Sequence, residues 1–99
     1  MGKFVYLYYV DHDDDAGDDA AWGQWFGQLG AALIDGGNPF NHNSQAVFAG
    51  GVMPVQEKPV TGYSIVSAES MEAAVELAKG CPLMKAKTGA VCVYEALPM

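Results

Sequence analysis

Apolar residues come in two clear rhythms along this chain. From Lys3 to Val10 they fill both alternating sets of positions, Val5, Leu7 and Tyr9 on one side and Phe4, Tyr6, Tyr8 and Val10 on the other. A run so rich in aromatic and β-branched residues predicts a strand, and apolar character on both faces predicts that both are covered. Trp22, Trp25, Phe26, Leu29 and Leu33 then recur at offsets of three, four and seven, which predicts a helix with a broad apolar stripe. Asp18 and Asp19 stand where its start needs a cap and negative charge. Gly23, Gly27 and Gly30 interrupt the stripe and imply either close backbone packing or a weak helix.

Gly62 to Pro82 is the most strongly specified stretch. Thr61 to Ala68 predicts a buried strand, and Ser70 caps a second helix with Met71, Ala74, Val75 and Ala78 on one stripe. Glu72 in its first turn and Lys79 in its last suit the helix dipole, and Gly80 and Pro82 close it. Leu83 to Thr88 reads as a linker and Gly89 to Ala96 as the last strand. Between the halves, Asp35-Gly-Gly-Asn-Pro-Phe ends the first helix and Asn41-His-Asn-Ser is a polar loop. Val47 to Val52 is a short strand candidate containing Gly50-Gly51, and Val55 to Pro59 is a connection.

The order β-α-β-β-α-β most simply builds an α+β, ferredoxin-like domain, an antiparallel sheet with two helices on one face. The second face then needs a partner, and the simplest is another copy of the same sheet. A two-fold homodimer packed sheet to sheet is expected, giving a dimeric α/β barrel.

Length sets the scale: 99 residues, 51% hydrophobic, make one domain spanning 1–99. The formal charge of -7 comes from twelve carboxylates against five lysines, and arginine is absent. Nucleic acid and anionic membrane surfaces are thereby poor partners. Six of the carboxylates fall in Asp11 to Asp19, which predicts a solvated, mobile loop. Cys81 and Cys92 form no metal-ligand spacing and read as free thiols of a reducing cytoplasm. The N-terminal apolar run is too short for a signal peptide, and nothing approaches the roughly 18 apolar residues of a membrane span.

Together, Asp35-Gly-Gly-Asn-Pro-Phe, GYSIVSAESMEAAVELAKGCP and the terminal VCVYEA resemble the YCII-related family, also called DGPF-domain proteins. That resemblance covers most of the chain and implies a ferredoxin-like protomer in a dimeric α/β barrel. It also implies cofactor-free acid/base chemistry in some members, by a first-helix histidine paired with the aspartate of the Asp-Gly turn. Here the aspartate is Asp35, while the first helix carries Trp22 and Trp25 and no histidine. Lys87-Thr88-Gly89 stands where the family has Gly-Gly before the last strand.

Asp35 is accordingly the candidate catalytic group. It either works as a general base raised by apolar neighbours, or bonds the backbone of its own turn. His42 and His12 are isolated alternatives for the missing histidine. Trp22, Trp25 and Tyr63 are candidate ligand-binding residues, with helical core packing the plainer role for the tryptophans. Tyr94 could likewise offer a phenol but reads as strand packing. Asp11, Asp13 and Asp15 match the start of a calcium loop, but Ala16 stands where its sharp-turn glycine belongs and Trp22 where its bidentate glutamate belongs, so no metal is expected. Cys81 has too few positive neighbours to be a nucleophile. No cofactor motif is present. The functional expectation is a cofactor-free protein binding a small apolar or aromatic molecule, with isomerase- or lyase-like proton transfer at Asp35, against a non-catalytic dimeric module.

Overall fold

The two-faced strand at the N-terminus becomes an inner strand of the main sheet. In a computed structural model, which describes residues 1–55 and 58–99, the chain forms β1 (Gly2–Tyr9), α1 (Asp19–Leu29), β2 (Leu33–Asp35), β3 (Gln45–Phe48), β4 (Gly51–Pro54), β5 (Gly62–Ala68), α2 (Met71–Ala78) and β6 (Ala90–Ala96). Short 3-10 turns lie at Gly30–Ala32 and Pro82–Lys85. A four-stranded antiparallel sheet has the order β2-β5-β1-β6, and β3 and β4 make a separate two-stranded sheet. The result is an α+β domain compatible with a ferredoxin-like fold. Among the described residues, no helix is long and apolar enough to cross a membrane.

One face of the sheet carries the core. Phe4, Tyr6, Tyr8 and Val10 from β1 and its exit, with Val66 and Ala68 from β5, are buried against Trp25 and Leu29 of α1 and Ala74 and Ala78 of α2. Burying one such large side chain is worth about 1.5–3 kcal/mol, so this cluster positions both helices. Two alanines four residues apart let α2 lie close to the strands. Tyr6 then donates its hydroxyl to the Ala74 carbonyl, and the Trp25 indole donates to the Leu77 carbonyl at 3.2 Å. Ser70 caps α2 by accepting from the Ala73 N–H, and Asp18 caps α1 by accepting from the Ala21 N–H, as the sequence suggests.

Val5, Leu7 and Tyr9 face the other way, paired in register with Ile65 and Tyr63 of β5 and with Tyr94, Cys92 and Ala90 of β6. This face is open. Tyr94 is 56% exposed and Ile34 of β2 is 52% exposed. The molecule is only 19 Å deep in its thinnest direction, the depth of one sheet and one helix layer.

Three expectations are corrected. The first helix stops at Leu29, because Gly30 adopts φ 54° as its C-cap, and Leu33 belongs to β2 rather than to the helical stripe. The segment expected as one strand over Val47 to Val52 is instead a hairpin that turns through Ala49 and Gly50 and pairs only with itself. Leu33–Asp35 supplies the edge strand of the main sheet. The acidic loop, expected to be solvated and mobile, is solvated, with Asp14 alone half-buried among residues 11–19, but it is tethered at Asp11 and Asp14. Asp14 accepts from the Thr88 N–H at 2.8 Å and the Thr88 hydroxyl at 2.6 Å, and the Asp11 N–H donates to the Thr88 hydroxyl oxygen. Of the expected connection Val55 to Pro59, residues 56 and 57 lie outside the described residues.

Candidate functional site

Asp35-Gly36-Gly37 turns the chain out of β2 and lays it along the start of β5. The carboxylate of Asp35 accepts from the Gly37 N–H at 2.8 Å, a local turn bond of the kind aspartate makes before glycine. Gly37 sits at φ 74°, and a Cβ there would overlap the Tyr63 carbonyl, so glycine is required both by conformation and by space. The backbone then runs on beside β5, with the Tyr63 N–H donating to the Asn38 carbonyl and the Phe40 N–H to the Thr61 carbonyl.

A hydrogen-bonded relay holds this turn to the core. The Tyr8 hydroxyl donates to Ser64 Oγ at 2.8 Å, and Ser64 donates to the Gly36 carbonyl at 2.7 Å. Ser64 is fully buried, so these two bonds satisfy a hydroxyl that water cannot reach. Burial pushes the Tyr8 hydroxyl well above the ordinary phenol range, and the Ser64 bond only partly offsets it. Burial likewise pushes Tyr6 up to about 12. Both phenols are therefore neutral donors at physiological pH and supply no phenolate base.

Between this turn and α1 lies a cavity of about 340 Å³, within the size range of small-ligand sites. Its walls are mainly apolar: Tyr8 and Val10 from β1 and its exit, Trp22 and Phe26 from α1, Gly36 to Pro39 from the turn, Thr61 and Gly62 at the entry to β5, and Leu83. Ala16 and Gly17 of the acidic loop complete the rim. The Trp22 indole N–H donates to the Ala16 carbonyl at 2.7 Å, tying that loop to the helix. Tyr8 and Trp22 meet edge to face with centroids 4.9 Å apart, and Trp22 and Phe26 are inclined at 59° and 5.8 Å apart.

The residues singled out from the sequence are thus only partly brought together. Trp22 walls the cavity. Trp25 does not line it: at 3% exposure it stacks on Tyr6 in the core and carries the bond to α2. Tyr63 borders the cavity, yet its register opposite Leu7 places its side chain on the open face, where the ring packs beside Phe40. Asp35 is exposed and engaged in its own turn, while the glycines it positions line the cavity. His42 and His12 come from distant loops to 6.2 Å between ring centroids, both exposed. Among the described residues no group of three or more histidines, cysteines or acids could hold a metal. Cys81 is buried, its thiol pushed up to about 11 by desolvation, which makes it inert. Tyr94 lies out on the open face.

Tyr8, Ser64 and Asp19 belong to the site without being conspicuous in the sequence. Ser64 carried the one usable signal, a hydroxyl at an inward position of an otherwise apolar strand face. No protein family, curated protein or solved structure matches the chain.

Proposed function

We propose that the protein binds a small apolar or aromatic molecule in the cavity between α1 and the Asp35 turn, as a two-fold dimer of the YCII-related kind. The observation that carries this is the cavity itself: about 340 Å³, open to entry and walled by the rings of Tyr8, Trp22 and Phe26. Such rings offer a large apolar contact area at low entropic cost. A structural core would be expected to fill this space rather than leave it open.

The dimer is supported by the open face. Val5, Leu7, Ile65 and Tyr94 form an apolar patch with no layer over it, and a 41 by 36 Å slab has room for the roughly 800 Å² per partner of a stable interface.

Proton transfer at Asp35 is the enzymatic form of the same proposal. It is favoured by one observation, that the turn held by this carboxylate forms the cavity wall. Its engagement with Gly37 supports a holding role more strongly than a reacting one. Thermal unfolding in the presence of phenol, indole and benzyl alcohol tests the binding. A melting temperature that rises with ligand concentration is expected, and a flat response to all three would contradict it. If Asp35 only holds the turn, Asp35→Asn keeps the ligand-dependent rise.

A further inference from the structure

The cavity's electrostatics go further than its shape. Asp19 is the only charged side chain among the described residues that line it, and it belongs to the Asp11 to Asp19 loop with its six carboxylates. The start of α1, which in other settings draws anions, is already occupied. The Asp18 carboxylate takes the Ala21 N–H, and the Asp18 carbonyl takes the Trp22 N–H. An anion entering here would meet the carboxylates of Asp18 and Asp19.

The polar handles of the aromatic walls are also engaged. The Trp22 indole N–H is bonded to Ala16 and the Tyr8 hydroxyl to Ser64. What these walls offer a ligand is the rings themselves, three of which line the same cavity and pack against one another. An aromatic ring attracts a cation over its face through its quadrupole, most strongly where water is displaced.

Resting on the assignment of the cavity as a ligand site, we propose that its ligand is a small organic ammonium ion. The alkylated nitrogen sits among Tyr8, Trp22 and Phe26, and Asp19 at the margin supplies the countercharge. The same arrangement selects against carboxylates and phosphates of similar size.

The test follows the indole N–H signal of Trp22 by proton–nitrogen correlation spectroscopy. Tetramethylammonium, choline and benzyltrimethylammonium are titrated against 3,3-dimethylbutan-1-ol, the uncharged carbon counterpart of choline. At least one cation is expected to saturate the Trp22 shift, with choline doing so at a concentration about tenfold or more below that of the alcohol. Asp19→Asn, at an exposed position, is expected to weaken cation binding about threefold and leave the alcohol unchanged. If the alcohol binds as tightly as choline, or if cation affinity is indifferent to Asp19→Asn, the ammonium proposal is overturned while the ligand site stands. If neither the cations nor the alcohol move Trp22, both fall.

Discussion

Ser64 joins the strand core to the glycine turn, because its hydroxyl is at once the acceptor for Tyr8 and the donor to Gly36. Ser64→Ala leaves a buried phenol and a half-buried carbonyl without their partner. Such a loss costs about 1–3 kcal/mol, and urea unfolding of the variant should show it. Asp35→Ala removes one exposed turn bond, and a smaller loss, about 0.5–1.5 kcal/mol, is expected in the same measurement. A larger loss at Asp35 than at Ser64 would reverse the assignment of which residue holds the turn. At this scale the sequence was partly legible. Asp35 before two glycines announces a turn because the residue types alone make that bond. The Tyr8–Ser64–Gly36 relay spans 56 and 28 positions of separation, and no local pattern reports contacts of that range.

At the level of elements, α1 is held by burial rather than by intrinsic preference. Gly23 and Gly27 are exposed, and a Cβ at either would meet nothing within 4 Å, so they serve no close packing. Gly23→Ala and Gly27→Ala should each stabilise the protein by about 0.5–1 kcal/mol, read as a higher urea midpoint at unchanged slope. The acidic loop makes a pH prediction. The bonds from Thr88 hold the Asp14 carboxyl below its ordinary value of 3.8. A folded pKa lowered in this way contributes stability that is fully present above 3.8 and is lost as pH falls through the folded value. Thr88→Val should therefore flatten the acid limb of the stability curve below about pH 4 and leave its slope near neutrality unchanged. An acid limb as steep as that of wild type would show that the Thr88 hydroxyl does not lower the Asp14 carboxyl. The caps, the strands Gly2–Tyr9 and Gly62–Ala68 and the second helix were legible because their signals are local. The break between α1 and β2 was not, since Leu33 keeps the apolar period of the helix while Gly30 ends it. The β3–β4 hairpin was misread for a related reason. Val47, 78% exposed, looks like a strand residue of the main sheet, and composition does not reveal that its strand pairs only with its neighbour.

For the whole molecule, β1 is apolar on both faces and only one face has helices over it. This two-faced pattern was legible in the sequence as a demand for a second layer, though the pattern does not say what supplies it. A second copy is the proposed answer, and sedimentation at micromolar concentration should give twice the 10.5 kDa chain mass. Leu7→Asp, placing a charge at the centre of the open face, should give the monomer mass. A monomeric wild type would remove the sheet-to-sheet dimer. The cavity lies on the opposite, helix-covered side, so ligand binding can be tested independently of assembly.

Gly36 provides the most direct test of the cavity as a ligand site. Its φ is not positive, and a Cβ there would lie 3.7 Å from the Phe26 ring, an ordinary contact. A leucine at this position would extend toward Phe26 and take up part of the cavity between the turn and α1. The measurement is the melting temperature of wild type and Gly36→Leu, each titrated with benzyltrimethylammonium and with indole. A ligand site predicts that wild type rises by about 5 °C or more with at least one of them near saturation. Gly36→Leu, which loses part of that space, should then rise by clearly less. No rise in wild type with either compound, or an equal rise in Gly36→Leu, would contradict it.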